Sequence, residues 1–292
     1  MYFSKKYIVI SPVRDEEAYI EKTIQSMVSQ TLRPIQWIIV NDGSTDKTGD
    51  IAERYSQEYS WVNVIHRKNR GYRKAGEGVI EAFYDGIIAI TDQDWCFIVK
   101  LDGDLSFEPD YFQRSLDYFD IDTWLGIAGG TVCVLEKDIL RVDSPGDPRF
   151  HVRGATKIYR RQCWEKISPL VKAPGWDTID EMKANLHGWT TRTFSDLKLI
   201  QLKPTGAADR KWGNWYKNGR ANYITGYHPV FMLAKCLKRA FQKPLFVEAA
   251  ALWTGFFSGY LKGIPRLQET DVIRYLRRQQ IRRMLMLSSI YK

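Results

Sequence analysis

Short apolar runs alternate with helical patterns over the first hundred residues of the chain. Runs typical of buried strands, rich in Val, Ile and Leu, cover residues 7–11, 36–40, 61–65 and 96–101. Between them, apolar residues recur at helical spacing, which predicts helices that begin near residues 20, 44 and 75. The alternation predicts an α/β fold: a mostly parallel central sheet with helices on both faces.

Beyond residue 104 the strict alternation ends. The pattern predicts a helix over 109–119, a strand over 127–135 and a loop over 141–151, which is rich in Pro, Gly and Asp. We divide the chain into an α/β domain, residues 1–205, and a helical C-terminal extension, residues 206–292.

The net charge of +9 is unevenly distributed. Residues 201–292 contain 17 Lys and Arg against 4 Asp and Glu, a net charge of +13, so the first 200 residues carry 9 − 13 = −4. This asymmetry predicts a basic surface in the C-terminal third that faces anionic lipid, nucleic acid or another polyanion.

The four cysteines have no paired spacing, which disfavours both a disulfide framework and a zinc site. The first residues lack the long apolar core and cleavage site of a signal peptide. We therefore expect a cytoplasmic protein.

Polar residues follow every predicted strand. They are Pro12, Arg14 and Asp15; Asn41 and Asp42; His66, Arg67 and Lys68; and Asp102 and Asp104. Each could serve only as a turn or cap residue. Because the carboxyl ends of parallel strands meet at one edge, where ligands bind in such sheets, together they predict a site there.

The triplet Asp102-Gly103-Asp104 directly follows the fourth apolar run. Its two carboxylates on a tight turn supply the hard oxygen ligands that Mg²⁺ or Mn²⁺ prefers, and Gly103 allows close backbone approach. The same triplet occurs in ordinary turns and calcium loops, so its position at the end of a buried strand is what favours a metal site.

Three motifs in this order resemble the family-2 glycosyltransferases, which have a GT-A fold: ISPVRDEE at 10–17, VNDGSTD at 40–46 and KLDGD at 100–104. The resemblance covers roughly the first 205 residues. It implies inverting transfer of a sugar from a nucleotide-diphosphate donor, with a UDP-sugar favoured, to a glycan or lipid-linked acceptor. It also implies Mg²⁺ or Mn²⁺ at Asp102 and Asp104, where the cation neutralises the leaving diphosphate.

The resemblance assigns residues to the nucleotide-sugar donor. They are Pro12, Arg14, Glu16, Asp42, Gly43, Ser44, Asp102, Gly103 and Gly154. Lys74 is placed beside the donor phosphates, although the segment 69–74 departs from the family pattern. Arg210 and Lys211 lie where related enzymes have a mobile basic segment that closes over the diphosphate, but a solvated basic surface is equally compatible with them.

An inverting transfer also needs a general base on the acceptor side. The resemblance points to the acidic stretch 175–181 and assigns the role to Asp180, with Asp177 and Glu181 as alternatives. Acidic residues at a helix start are also favoured by the helix dipole alone. Trp176 and Trp189 are candidates to stack on acceptor sugars, or are simply core residues.

The C-terminal extension has two features of a membrane surface protein. The charge-free residues 249–261 number 13, too few for the roughly 20 needed to cross a bilayer. An Arg-rich amphipathic helix over 270–287 follows, and the pair favours attachment to the cytoplasmic face of an anionic membrane. Packing in an oligomer and RNA binding are the alternatives, with nucleic acid disfavoured. The sequence leaves the oligomeric state open.

Two other functions are compatible with such a sheet. A sugar-phosphate nucleotidyltransferase also combines it with metal-binding carboxylates, but should have a Gly-rich loop after the first strand, and residues 12–17 contain no glycine. A non-catalytic module that binds nucleotide or polyanion would retain the fold without turnover.

Overall fold

The computed structural model describes residues 5–72, 74, 76–203, 211–241 and 246–291. In these residues the chain forms one sheet and the helices that surround it. The strands are β1 Tyr7–Val13, β2 Gln36–Asn41, β3 Val62–His66, β4 Phe97–Leu101, β5 Leu105–Phe107, β6 Leu125–Glu136, β7 Ile139–Val142, β8 Thr156–Arg160 and β9 Thr190–Gln201. The helices up to β9 are α1 Ile20–Val28, α2 Thr48–Glu58, α3 Glu77–Ile88, α4 Tyr111–Ile121, α5 Arg161–Ile167 and α6 Trp176–Leu186.

The strand order is β3-β2-β1-β4-β8-β6-β9-β5, and β7 pairs with β6. Strands β3, β2, β1 and β4 are mutually parallel, and β6 and β9 form a second parallel pair. Strand β8 lies between the two groups and is antiparallel to both β4 and β6. The predicted mixed α/β sheet is confirmed, and the carboxyl ends of β1, β2 and β4 meet at one edge.

Period-two alternation along the central strands separates two cores. Tyr7 and Val9 pack on one face with residues of α1, α2 and α4, whereas Ile8 and Ile10 pack on the other face with residues of α3, α5 and α6. Because both faces are covered, the strands have the continuous apolar character expected of a buried parallel sheet.

Two local predictions were wrong. Helix α2 begins at Thr48 with Lys47 as its N-cap, so Ser44 does not cap it. The Ser44 hydroxyl instead accepts a hydrogen bond of 3.1 Å from the Asp15 N–H, which joins the loops after β1 and β2. The predicted loop at 141–151 also begins inside a strand, because β7 extends to Val142 and pairs with the end of β6.

The C-terminal part consists of α7 Lys211–Ile224, α8 Pro229–Ala240, α9 Val247–Leu261 and α10 Thr270–Met284. Helix α9 is a core element, since Leu252 and Phe256 are fully buried against α7. A Cβ atom added to Gly255 would lie 2.1 Å from the Tyr216 carbonyl oxygen, so the two helix backbones are in contact. In the described chain, every helix is too short or too polar to cross a membrane.

Helix α10 packs on the catalytic part of the molecule. Its buried residues Val272 and Leu276 form an apolar cluster with Ile179 and Met182 of α6. The arginines predicted on this helix therefore lie on its remaining surface, and the helix is attached to the element that carries the acidic stretch.

Candidate donor and catalytic site

Three carboxylates converge where β1 and β4 end. Asp102 and Asp104 follow β4, and Glu16 follows β1. A Cβ atom added to Gly103 would lie 2.3 Å from Glu16 Oε2 and 2.6 Å from a Val13 methyl carbon, so only glycine fits between the two loops. This close approach brings Glu16 beside the Asp102-Gly103-Asp104 turn.

The turn is fixed from two sides. Thr23 of α1 donates to the Gly103 carbonyl at 2.8 Å and accepts from the Leu105 N–H at 2.9 Å. On the other side, the Asp102 N–H donates to the Ala155 carbonyl at 2.8 Å. The second contact joins the turn to the start of β8 and hence to Gly154.

The carboxylate cluster is short of positive charge. Burial raises the pKa of Glu16 well above its ordinary range, and the nearby carboxylates of Asp104 and Asp102 raise it further. Burial and then Asp102 raise the pKa of Asp104 to about 6. The Glu16 Oε2 atom is buried and lacks a hydrogen-bond partner in the part of the chain that the structure describes.

These residues fit a hard divalent cation. Carboxylate oxygens are its preferred ligands, and an unpartnered buried oxygen next to two aspartates is a place where a positive charge is favourable. Among the described residues, no group of three His, Cys, Asp or Glu could hold a metal ion alone. A Mg²⁺-type site commonly uses one or two carboxylates and takes its other ligands from substrate phosphates and water, which matches this arrangement.

The loops after β1 and β2 form the neighbouring part of the site. Arg14 donates to the Asp42 carbonyl at 3.2 Å and to the Asn69 side chain at 3.0 Å. Gly43 has a positive φ of 70°, and an added Cβ atom would lie 2.5 Å from the Asn69 Cα atom. The structure therefore brings together all six predicted residues of these two loops. Five of them, Arg14, Glu16, Asp42, Gly43 and Ser44, lie in the loops themselves, and Pro12 lies near the end of β1.

Two arginines neutralise Asp42. Arg70 binds its carboxylate through both terminal nitrogens, at 2.7 and 2.6 Å, and Arg67 binds the same carboxylate. The hydrogen bonds to Asp42 raise the pKa of Arg70. Lys74, the predicted phosphate contact, instead pairs with Glu77 at 2.7 Å and Glu81 at 2.9 Å. Lys74 is therefore paired with carboxylates of α3, whereas Arg67 and Arg70 both contact Asp42.

The acidic stretch at the start of α6 is divided between buried and accessible carboxylates. The Asp180 side chain is completely buried. It accepts two hydrogen bonds from Lys157, at 2.7 and 2.9 Å, and one from the Tyr159 hydroxyl at 2.6 Å. Burial raises the pKa of Asp180 to about 7 against the opposing effect of Lys157.

A pKa near 7 suits a base, but a fully enclosed and bonded carboxylate cannot reach an acceptor hydroxyl. The contacts of Asp180 therefore argue against the assignment of this residue as the base. Its location is that of a counterion for a buried lysine.

Glu181 is also fully buried and holds the segment that precedes β8. Its carboxylate accepts from the Val152 N–H at 2.6 Å and from Lys157 at 3.1 Å, and it pairs with His151 at 3.0 Å. Burial lowers the pKa of His151, but the Glu181 carboxylate more than offsets this effect and raises it to about 9. Glu181 thus positions the chain that leads to Gly154.

Asp177 has a different environment. It is half-buried, and no side chain of the described residues bonds to its carboxylate. An added Cβ atom on Gly154 would lie 3.5 Å from Asp177 Oδ2. The Gly154 carbonyl accepts a hydrogen bond from Lys100, whose ammonium group also pairs with Asp102. Among the three acidic residues of this stretch, Asp177 is therefore the one whose carboxylate lies on the side of the Asp102-Gly103-Asp104 turn.

Neither predicted acceptor-side tryptophan is positioned to stack on a sugar. Trp176 is buried, and its ring lies against the ammonium groups of Lys100 and Lys157 at 5.7 and 5.4 Å. Trp189 lies beside the first residues of β6, next to Trp124, at the opposite edge of the sheet from Asp102. Of the predicted closing residues, Arg210 lies outside the described residues, and α7 begins at Lys211, whose side chain is not described.

Sequence reasoning missed three lysines of the site. Lys100 and Lys157 each interrupt an apolar strand, which is itself a signal, because a buried lysine needs a carboxylate partner. Lys203 follows β9 and lies near Glu16 and Asp104. Its positive charge partly opposes the rise in the pKa values of these two carboxyl groups. The rule that ligands bind at the carboxyl edge of a parallel sheet would have found Lys203 once β9 was recognised as a strand of that sheet.

Comparison with known proteins assigns this arrangement to a family. The family model described as Glycosyl transferase family 2 matches residues 8–158, which is more than half of the chain. The chain belongs to glycosyl transferase family 2. The match begins at the second residue of β1 and ends within β8, so it includes the loops after β1 and β2 and the Asp102-Gly103-Asp104 turn.

Two curated relatives of this family-2 chain are bacterial proteins. It is 38% identical over 86 residues to the uncharacterized glycosyltransferase EpsJ of Bacillus subtilis, which covers 30% of this chain and 25% of that protein. It is 32% identical over 184 residues to the uncharacterized glycosyltransferase MG025 homolog of Mycoplasma pneumoniae, with 58% of each covered. The chain thus spans only about a quarter of the length of the first of these relatives.

Solved structures support the GT-A fold. The mannosyltransferase PcManGT from Pyrobaculum calidifontis, in complex with GDP-Man and Mn²⁺, superposes with a TM-score of 0.56 at 15% identity and covers 97% of this chain and 76% of that one. S. aureus TarS 1–349, in complex with UDP-GlcNAc, gives 0.54 at 16% identity and covers 95% and 81%. The predicted GT-A architecture is confirmed.

Proposed function

We propose that this family-2 chain is an inverting glycosyltransferase that moves a sugar from a nucleotide-diphosphate sugar to a glycan or lipid-linked acceptor. The observation that carries the proposal is the cluster of Glu16, Asp102 and Asp104, directly beside the loops that carry Arg14 and Asp42. A pocket for a nucleoside next to a site for a cation is the arrangement that a nucleoside diphosphate requires.

The metal would be held by Asp102 and Asp104, as Mg²⁺ or Mn²⁺. Bound there, a divalent cation would supply positive charge to balance the charge that grows on the departing diphosphate. Lys203 and Lys100 supply further positive charge near the same carboxylates. The complex of PcManGT with Mn²⁺ and GDP-Man is consistent with such a cation in a protein of similar fold.

On the acceptor side, we assign the general base to Asp177. Its carboxylate receives the proton of the acceptor hydroxyl while that oxygen forms a bond to the anomeric carbon. The bond from the anomeric carbon to the diphosphate oxygen breaks, and its electron pair leaves with the diphosphate. Attack from the face opposite the leaving group inverts the anomeric configuration.

For the donor we favour a UDP-sugar. S. aureus TarS binds UDP-GlcNAc and PcManGT binds GDP-Man, so proteins of similar fold use donors with either nucleotide. For location we propose the surface of an anionic membrane, on the grounds of the basic C-terminal third, which carries a net charge of +13 over residues 201–292.

A panel of UDP-, GDP- and CMP-sugars tests the function. We expect binding of one nucleotide class in calorimetry with Mn²⁺, loss of at least about tenfold in affinity when EDTA removes the metal, and the same loss in Asp102→Ala and Asp104→Ala. Binding that is indifferent to metal and to both substitutions would overturn the metal assignment. Failure of every nucleotide sugar to bind would overturn the proposal as a whole.

A further inference from the structure

Helix α8 has two apolar faces. Met232, Cys236 and Ala240 are buried against the cluster that contains Leu252 and Phe256 of α9. Phe231, on another side of the helix, contacts Tyr227 and Tyr291. The second apolar face is turned away from the buried face.

The second face, the α8 outer stripe, consists of Val230, Leu233, Leu237 and Phe241, the last directly after the helix. The spacing of 3, 4 and 4 residues places their side chains along one line of a helix. All four are exposed, from 43% for Leu233 to 78% for Phe241. A surface helix normally presents polar residues outward, so a continuous exposed apolar line indicates a contact surface.

The stripe continues beyond the helix end. Phe246 is 61% exposed, and its N–H donates to the Ala240 carbonyl at 3.1 Å, which brings the Phe246 backbone to the end of α8. Aromatic residues at one end of an apolar line are typical of helices that lie at the boundary between lipid headgroups and acyl chains.

The charge beside the stripe is positive. Lys238 is exposed one residue after Leu237, and Arg239 lies beyond it, paired with Glu248 at 2.9 Å. Residues 206–292 as a whole contain 16 Lys and Arg against 4 Asp and Glu. A second copy of this chain would bring the same positive charges into contact, whereas an anionic bilayer offers both an apolar phase and negative headgroups.

We propose that the α8 outer stripe is the membrane-contacting surface of the protein, with Leu233, Leu237 and Phe241 inserted at the interface of an anionic phospholipid bilayer. The inference rests on the proposed membrane-surface location and names the residues that produce it. It replaces the sequence-based assignment to residues 246–287, because α9 is a core helix and α10 packs on α6. A helix of 12 residues is about 18 Å long and would lie parallel to the membrane plane.

Sedimentation with vesicles tests the proposal. The full chain is mixed with phosphatidylcholine vesicles that contain or lack phosphatidylglycerol, and the partition coefficient is measured. We expect binding only to the anionic vesicles, weakened by salt. The double variant Leu237→Asp/Phe241→Asp should lower the partition coefficient at least about tenfold, since each substitution removes a large inserted apolar group. Equal binding by the variant and the original chain would overturn the assignment.

A matched control carries the same substitutions elsewhere. Ile88 and Ile121 are 82% and 80% exposed on α3 and α4, so Ile88→Asp/Ile121→Asp adds the same charge outside α8 and should bind vesicles like the original chain. An equal loss in this control would overturn the proposal, because added negative charge alone would explain it. Both variants should keep the original melting temperature and donor affinity.

Donor affinity separates the failure of this inference from failure of the proposed function. If donor binds but vesicles do not, the membrane surface alone is refuted. A dimer in light scattering that the α8 variant dissociates, without vesicle binding, would refute it in favour of self-association.

Discussion

Lys100 and Lys157 are direct cross-strand partners on the antiparallel strands β4 and β8, and both ammonium groups lie against the ring of Trp176. Two like charges in opposite positions destabilise a sheet unless each has its own counterion. Lys100 pairs with Asp102, and Lys157 pairs with Asp180 and Glu181. Lys100, Trp176 and Lys157 thus connect the Asp102-Gly103-Asp104 turn to the acidic residues of α6.

Lys157→Met should strongly destabilise the fold. The substitution keeps most of the side-chain volume but leaves the fully buried Asp180 and Glu181 without their cation. We expect the free energy of unfolding, measured in urea at neutral pH, to fall by about 3–5 kcal/mol. Lys166→Met, on the exposed surface of α5, is the control and should change it by less than about 0.5 kcal/mol. A small loss for Lys157→Met would contradict the ion-pair network.

Asp177→Asn and Asp180→Asn should have opposite effects on activity and stability. If Asp177 is the base, its replacement lowers kcat by a factor of about 10² to 10⁴ while donor affinity and melting temperature stay unchanged. Asp180→Asn should mainly lower the melting temperature, because Lys157 loses a buried counterion. Steady-state kinetics and thermal unfolding of both variants decide between them. An inactive Asp180→Asn enzyme of normal stability, beside a fully active Asp177→Asn enzyme, would return the role to Asp180.

Gly103→Ala should weaken donor binding that depends on metal. The added methyl group would overlap Glu16 Oε2 and the Val13 side chain, so the two loops must separate. We expect affinity for the donor with Mn²⁺, measured by calorimetry, to fall at least about tenfold. Gly146→Ala is a suitable control, because an added Cβ atom there meets nothing within 4 Å. Unchanged affinity in Gly103→Ala would show that the close approach of these loops is not needed.

The ion pair of His151 and Glu181 predicts a pH dependence of stability. The folded pKa of His151 is raised to about 9, whereas an unfolded histidine titrates near about 6.5. The stabilisation is therefore complete below about pH 6.5 and is lost as the pH rises toward about 9, and it is on the order of 2 kcal/mol. Urea unfolding at both pH values should show this loss in the original chain and a smaller one in His151→Gln. Equal pH dependence in both proteins would refute it.

The donor half of the site follows closely from the sequence. Each strand from β1 to β4 is a short apolar run followed by polar residues, and the parallel arrangement alone places Arg14, Asp42 and Asp102 at one edge. Local patterns suffice here because these four strands are parallel, so their carboxyl ends lie at one edge whichever strands are neighbours.

The acceptor half could not be predicted in the same way. Asp177, Asp180 and Glu181 all lie within the first two turns of α6, and no periodicity tells which carboxylate is enclosed. That depends on Lys157, which comes from β8, an antiparallel strand inserted between β4 and β6. The environment of each acid is therefore set by a long-range pairing.

The same distinction applies to the C-terminal helices. Residues 249–261 have the most membrane-like composition, yet the structure buries them, while α8 exposes an apolar stripe at ordinary composition. The hydrophobicity of a segment does not indicate which other element packs on it in the folded protein. Only the packing of α9 on α7 resolves this point.

The contact of α7 and α9 through Gly219 and Gly255 has a mechanical consequence. At these two glycines the helix backbones touch with no side chain between them, so one helix cannot slide past the other without first separating from it. A force applied to one of these helices therefore acts directly on the other. It also acts on α8, which shares an apolar cluster with both. Helices α7, α8 and α9 therefore form one stiff unit.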